Sequence, residues 1–216
     1  MKLAVFDCDG TLVDGQAAIC EAMEATFGGV GLPAPSRTEI RRAVGLSLPQ
    51  AVRRLLPDST SEQQQAMADA YKQAFRQART EGRVSQPLFE GVREVLETLH
   101  AQGWTLAVAT GMSDRGLEHC LANNGIAQLF SSLQTADRHP SKPHPAMLEE
   151  ALFETGAQPS EAVMIGDTAF DMQMARGAFV RAIGVDWGYH HPHELLEAGA
   201  EAVAETPAQL LEQLLK

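Results

Sequence analysis

Cysteine is scarce in this chain: Cys8, Cys20 and Cys120 are all it has. An odd, widely spread set offers no disulfide framework and reads as reduced thiols of an intracellular protein. Positive charge is scarce too. Lys and Arg number 17 against 28 Asp and Glu, a net charge of −11. Nucleic acid and anionic membranes call for a basic surface, so both are disfavoured as partners. An anionic substrate must instead find its positive charge inside the site. No apolar run reaches membrane-spanning length, and Met1-Lys2 leads straight into a strand rather than a signal peptide. There is no internal repeat, no low-complexity tract and no His-Glu-x-x-His spacing for a metalloprotease-type site. A cytoplasmic protein, monomer or homodimer, is expected.

What is present is a chain of 216 residues, 44% hydrophobic, enough for a core domain with an inserted module. Its organising stretch is Phe6-Asp7-Cys8-Asp9-Gly10-Thr11-Leu12. The apolar run Leu3-Ala4-Val5-Phe6 before it reads as a strand buried on both faces, and Gly10 punctuates its end. Two carboxylates therefore leave the tip of a central strand together. In an open α/β sheet that edge is where ligands bind. Adjacent anions repel, so the pair needs a cation or a shared proton. Hard oxygen donors without a cysteine or histidine cluster suit Mg²⁺. Cys8 alternates away from both acids, toward the interior, and reads as packing rather than as a nucleophile.

From about residue 15 to 84 the pattern is helical, with no clear strand. Ile19, Ala22, Met23 and Phe27 recur at helical spacing until Gly28-Gly29. Ser36, with Glu39 three residues on, marks a helix running to Val44, and a short one ends at Leu55. Ser61 is placed to cap a long helix whose stripe is Met67, Ala70, Tyr71, Ala74, Phe75 and Ala78. That stripe reads as a bundle core. From Pro87 strand and helix alternate. Strands are expected at residues 105–109, 132–134, 162–165 and 180–185, with a short edge strand at Ala202-Val203. Asp114 is placed to cap the helix bearing Leu117, Cys120 and Leu121, and Thr206-Pro207 opens the last helix. The expectation is a doubly wound parallel α/β sheet, residues 1–14 and 85–216, with a helical cap inserted at 15–84.

Three strand ends carry reactive groups: Asp7 with Asp9, Thr110 with Gly111, and Asp167 with Asp171 a helical turn later. Lys142 arrives from the loop Ser141-Lys142-Pro143. Asp7 can attack phosphorus and carry an aspartyl-phosphate. Asp9 can pass a proton to and from the leaving and attacking oxygens. Thr110 offers a hydroxyl, and the Gly111 amide can approach a phosphate oxygen closely. Lys142 adds compact positive charge. Asp167 can complete a Mg²⁺ shell, with Asp171 behind it.

The motifs Asp-x-Asp-Gly-Thr-Leu, Thr-Gly, a loop lysine before proline and Gly-Asp-Thr-x-x-Asp, in this order, resemble the four motifs of the haloacid dehalogenase superfamily. The helical insert resembles its C1 cap, as in the phosphoglycolate phosphatase and β-phosphoglucomutase branch. The resemblance implies a nucleophile at Asp7, an acid/base at Asp9 and phosphoryl-holding groups at Thr110 and Lys142. It also implies Mg²⁺ at Asp7, Asp167 and the Asp9 backbone carbonyl, supported by Asp171. The implied activity is hydrolysis of a small phosphate monoester, phosphoglycolate-like or a sugar phosphate. A phosphomutase shares the same core. A dehalogenase is disfavoured because it needs no Mg²⁺ site. A phospho-aspartate receiver is disfavoured by the Asp-x-Asp spacing and the long helical insert, and a non-catalytic binding protein by the complete reactive set.

Some residues invite weaker readings. His190, His191 and His193 follow Trp187-Gly188-Tyr189 and read as a surface loop, not a zinc site. A cap must supply a cation to an anionic leaving group, and Arg53 or Arg42 is the expected contact.

Overall fold

The computed structural model describes residues 2–216. Six strands form one parallel sheet: β1 (Leu3–Phe6), β2 (Thr105–Thr110), β3 (Ser132–Thr135), β4 (Ala162–Gly166), β5 (Arg181–Val185) and β6 (Ala202–Ala204), in the order β3-β2-β1-β4-β5-β6. β1 lies inside the sheet, with Phe6 beside Val108 of β2 and Ile165 of β4. All four of its residues are buried, as expected of a strand covered on both faces. Chain order reverses across β1, so the crevice at its C-terminal tip is a topological switch point.

Two apolar clusters cover the faces. One joins Phe6, Cys8 and Val108 to Leu96 and Leu99 of α5 (Val92–Ala101), Leu117 and Cys120 of α6 (Asp114–Asn123), and Leu210 and Leu214 of α10 (Pro207–Leu215). The other joins Leu3, Val5 and Met164 to α7 (Ala146–Thr155), α8 (Ala169–Gly177) and Leu195 of α9 (Pro192–Ala198). Cys8 lies in the first cluster, its Sγ 3.9 Å from that of Cys120, as its alternation predicts.

Between β1 and α5 the chain makes four helices: α1 (Gln16–Gly29), α2 (Arg37–Arg41), α3 (Leu48–Leu55) and α4 (Ser61–Thr80). They have their own core of Cys20, Met23, Phe27, Ile40, Val52 and Met67. The chain enters and leaves this bundle along paired linkers: Val13 bridges Leu88, and the Asp14 amide donates to the Pro87 carbonyl. Among the described residues no helix is long and apolar enough to cross a membrane.

Several local expectations shift by one residue, for a common reason. Thr60 rather than Ser61 caps α4: its extended backbone lets its hydroxyl accept from the Gln63 amide. Ser113 rather than Asp114 caps α6, accepting from the Gly116 amide. The Asp114 carboxylate is turned to Thr135 Oγ1 and Arg138 instead. α2 stops at Arg41, short of Val44, because the chain turns toward Gly45. The α4 stripe is also only partly a bundle core. Met67 is buried in it, whereas Tyr71 and Phe75 line the cleft between cap and sheet. The periodicity identifies a shared face but not what that face meets.

Candidate active site

Asp7 leaves β1 at its C-terminal tip, and its amide still donates to the Ile165 carbonyl at 2.9 Å. Its Oδ1 accepts from the Cys8 amide at 2.7 Å and pairs with Lys142 Nζ at 2.9 Å. Its Oδ2 is buried with no hydrogen-bond partner. Gly10 then takes φ +90°, and a side chain there would strike Asp167 Oδ2 at 2.3 Å. Only glycine admits the turn that brings β1 and β4 residues this close.

Asp167 follows β4 and is fully buried. Thr11 Oγ1 donates to its Oδ1 at 2.8 Å, and the Tyr189 amide donates to its Oδ2 at 2.9 Å. Trp187 Nε1 holds the Thr11 carbonyl at 3.1 Å. Thr168 caps α8, and Asp171 completes the capping box by accepting from the Thr168 amide and hydroxyl at 3.0 and 2.7 Å on Oδ2. Its Oδ1 accepts from Lys142 Nζ at 2.6 Å. Both oxygens of Asp171 are therefore committed. It meets Asp7 through Lys142, which pairs with both acids.

Carboxylate oxygens of Asp7, Asp167 and Asp171 lie within 4.8 Å of one another, and all three residues are buried. Burial pushes the Asp7 carboxyl up to about 7 even with Lys142 opposing, and Asp171 pushes the same way. Burial, then Asp7 and Asp171, hold Asp167 well above the usual carboxylate range. Burial alone would depress Lys142, but Asp171 and Asp7 outweigh it and keep the ammonium charged. One buried cation thus faces three buried acids. The remaining negative charge, the hard oxygen donors and the unpartnered Asp7 Oδ2 fit a divalent cation such as Mg²⁺.

Asp9 stands apart from this cluster. Its Oδ1 accepts from Gln86 Nε2 at 3.1 Å, and a side chain at Gly15 would touch that oxygen at 2.5 Å. Burial raises its carboxyl to about 6, with Gln86 opposing. Asp7 and Asp9 both open on the cleft, whereas Lys142 is buried behind Asp7. Thr110 ends β2, buried, its Oγ1 accepting from the Met112 amide at 3.3 Å and its proton still free to donate. At Gly111 a side chain would meet the Leu46 carbonyl at 2.5 Å and that of Gly45 at 2.8 Å. Its bareness lets the cap loop sit down on the sheet edge. The Ser47 amide also donates to Ser141 Oγ at 2.8 Å, one residue from Lys142.

The cap arginines lie elsewhere than expected. Arg42 bridges to Glu194 on α9, a latch between cap and core, with one contact of 3.1 Å. Arg53 is exposed and does not line the cleft. The cations that do are Lys72, Arg76 and Arg79 of α4 and Arg115 of α6. Of the three histidines, His191 and His193 are exposed as expected and His190 is not. His190 is buried, its Nδ1 accepting from the Ala169 amide at 3.2 Å, and His191 is the N-cap of α9. Thr11, Gln86 and Tyr189 are partners that sequence reasoning missed. Thr11 and Thr168 sit inside quoted motifs and could have been found there. Gln86 and Tyr189 act through long-range pairing that leaves no local pattern.

A parallel sheet in this order, with acids at adjoining strand tips under a helical lid, defines a hydrolase-type α/β enzyme whose chemistry centres on carboxylates. The comparisons make this specific. The sequence profile described as haloacid dehalogenase-like hydrolase matches residues 4–185, and the chain belongs to that family. It is 33% identical to the protein of Dickeya dadantii (strain 3937) named "Probable phosphatase IndB", over 97% of this chain and 91% of that one. It is 29% identical to a phosphoglycolate phosphatase of Vibrio vulnificus (strain YJ016), over 100% of this chain and 96% of that one. The crystal structure of a hydrolase from Pseudomonas syringae superposes with a TM-score of 0.87 at 26% identity, covering 99% of this chain and 98% of that one.

Proposed function

We propose that this enzyme hydrolyses a small phosphate monoester, phosphoglycolate-like or a sugar phosphate, with Mg²⁺ and through a phosphorylated Asp7. That it is a phosphatase of its family rests on the two phosphatase relatives that run nearly its full length. The observation that carries the mechanism is the division of labour between two carboxylates. Asp7 is gripped on one oxygen and unpartnered on the other, whereas Asp9 lies outside the acid cluster with its Oδ1 accepting from Gln86.

Asp7 and Asp167, with the Asp9 carbonyl as the family resemblance implies, would hold Mg²⁺, which supplies positive charge against the phosphoryl oxygens. Asp7 attacks phosphorus: one carboxylate–phosphorus bond forms and the ester bond breaks. Asp9, protonated, gives its proton to the departing oxygen. Asp9, now ionised, takes a proton from water as that water attacks phosphorus and frees Asp7. Lys142 balances charge at Asp7 through both steps, and Asp171 fixes Lys142. Thr110 and the Gly111 amide, at the neighbouring strand tip, hold phosphoryl oxygens in this reading. The cap shields the transfer from bulk water.

Phosphate release from 2-phosphoglycolate, sugar phosphates and an aryl phosphate, with chelator and then with excess Mg²⁺, is the test. Chelation is expected to stop release and lower the melting temperature, and Mg²⁺ to restore both. Full turnover after exhaustive metal removal defeats the metal assignment.

A further inference from the structure

The cleft encloses about 500 Å³. Pockets of this size commonly hold ligands of drug size, and a glycolate leaving group would fill a small part of it. The chamber is lined by Ile19, Met23, Leu55, Tyr71 and Phe75, so most of its wall is apolar. The charged residues on its wall, apart from Asp7 and Asp9, are Lys72, Arg76, Arg79, Arg115 and Asp137. Four cations against one acid is the reverse of a chain with net charge −11.

The partners of these groups decide which matter. Asp137 is turned to the Asp114 amide at 2.9 Å. Lys72 is paired with Asp69 at 3.8 Å. Arg79 lies over the Phe75 ring, 5.4 Å from its centroid, and its Nε is buried with no hydrogen-bond partner. Arg115, on the core side, and the exposed Arg76 make no side-chain hydrogen bond or ion pair among the described residues. Burial, and then the Arg115 guanidinium, hold Arg79 below the ordinary arginine range, so the two cations that line the cleft repel each other. Residues 72, 75, 76 and 79 fall on one face of α4, which is why these cations and Phe75 arrive together.

We propose that Arg79 and Arg115 form a subsite for a second oxyanion on the leaving group. The substrate is then a phosphate monoester with an apolar or aromatic body that lies against Tyr71 and Phe75 and ends in a negative group. Guanidinium pairs suit a planar oxyanion because each offers parallel N–H donors. The reading rests on the phosphatase function above and narrows its substrate class.

Two isosteric probes test it: 4-carboxyphenyl phosphate and 4-carbamoylphenyl phosphate, which differ in terminal charge. The readout is the ratio of their kcat/KM values, so the difference in leaving group cancels between variants. In the wild type the ratio is expected to favour the carboxylate. In Arg79→Gln and in Arg115→Gln it is expected to fall by about tenfold, mainly through KM. Arg37→Gln, a cap cation paired with Glu24 outside the cleft, is expected to keep the wild-type ratio. Arg115 is exposed, so its substitution leaves packing intact and the test stands even where Arg79→Gln fails to fold. Turnover of both probes with a ratio that survives both substitutions overturns the subsite and leaves the phosphatase reading standing. Release from 2-phosphoglycolate or a sugar phosphate but from neither probe overturns the subsite alone, and no release from any of these esters with Mg²⁺ overturns the phosphatase reading and the subsite with it.

Discussion

The floor of the cleft and its roof are built on opposite principles. On the floor, Asp7, Lys142, Asp167 and Asp171 are almost wholly buried, and nearly every polar atom has an assigned partner. On the roof, Tyr71, Arg76 and Arg79 are half-buried or exposed, and the arginine Nε has none. The floor fixes charged groups that are costly to desolvate, and it succeeds only because each is held by another. The roof leaves Arg76 and Arg79 without an acid partner among the described residues, so a ligand can complete them. Chemistry common to many substrates belongs on a floor of this kind, and choice among substrates belongs on the roof.

The largest effect is expected from breaking the floor at its reacting atom. Asp7→Asn removes the attacking oxygen and keeps the shape. Phosphate release should fall by about four orders of magnitude or more, with the circular dichroism spectrum unchanged. Near wild-type turnover would move the nucleophile elsewhere. Lys142→Met attacks the floor's charge balance. It leaves Asp7 and Asp171 buried without their cation. A stability loss of about 3–5 kcal/mol by urea unfolding in chelator is expected. A loss below about 1 kcal/mol would mean the two acids share a proton in the folded protein.

The same contrast explains what could be read beforehand. Asp7 with Asp9, Thr110 and Asp167 stand at the ends of three short apolar runs, and parallel strands end at one edge of a sheet. Their meeting place is therefore written locally, three times over. Lys142 was legible from its order among the motifs, since its loop carries no pattern of its own. The roof was not legible in this way. Helical spacing grouped Tyr71 and Phe75 with Met67, but only the packing of cap on core decides that Met67 is covered and the other two face the cleft. By the same limit the sequence singles out Arg42 and Arg53 and not Arg79, although one is latched to Glu194, the other lies outside the cleft and Arg79 lines it. Gln86 and Tyr189 reach the floor from loops far along the chain, through single hydrogen bonds without periodicity.

A middle-sized effect is expected where floor and roof join. Gln86 lies on the linker leaving the cap and donates to Asp9. That bond favours the charged carboxylate, so losing it moves the Asp9 carboxyl further up from about 6. With an aryl phosphate whose leaving group needs little acid help, turnover depends on ionised Asp9. The acid limb of its pH–rate profile is expected near 6 in the wild type. In Gln86→Leu it should lie about one pH unit higher. A limb that stays in place would detach Asp9 from the proton transfer.

The smallest effect concerns the latch that keeps roof over floor. Arg42 on the cap bridges Glu194 on the core, and Glu194 also accepts from the His191 amide at 3.0 Å. These bonds hold the Glu194 carboxyl down at about 2, well below its ordinary value of 4.5. A carboxyl lowered on folding stabilises the folded form above its unfolded value, and that contribution fades as pH falls from about 4.5 toward 2. The side chains are 36% and 21% exposed, so water screens the pair. A contribution of about 0.5–1 kcal/mol near neutrality is expected. Arg42→Gln should therefore lower stability by that amount at pH 7 and by about a quarter of it at pH 2.5. It should also raise KM more than it lowers kcat, because an unlatched cap costs closure rather than chemistry. Equal loss at both pH values would show that Arg42 works through packing. A fall in kcat alone would place it with the floor and end the division between the two regions.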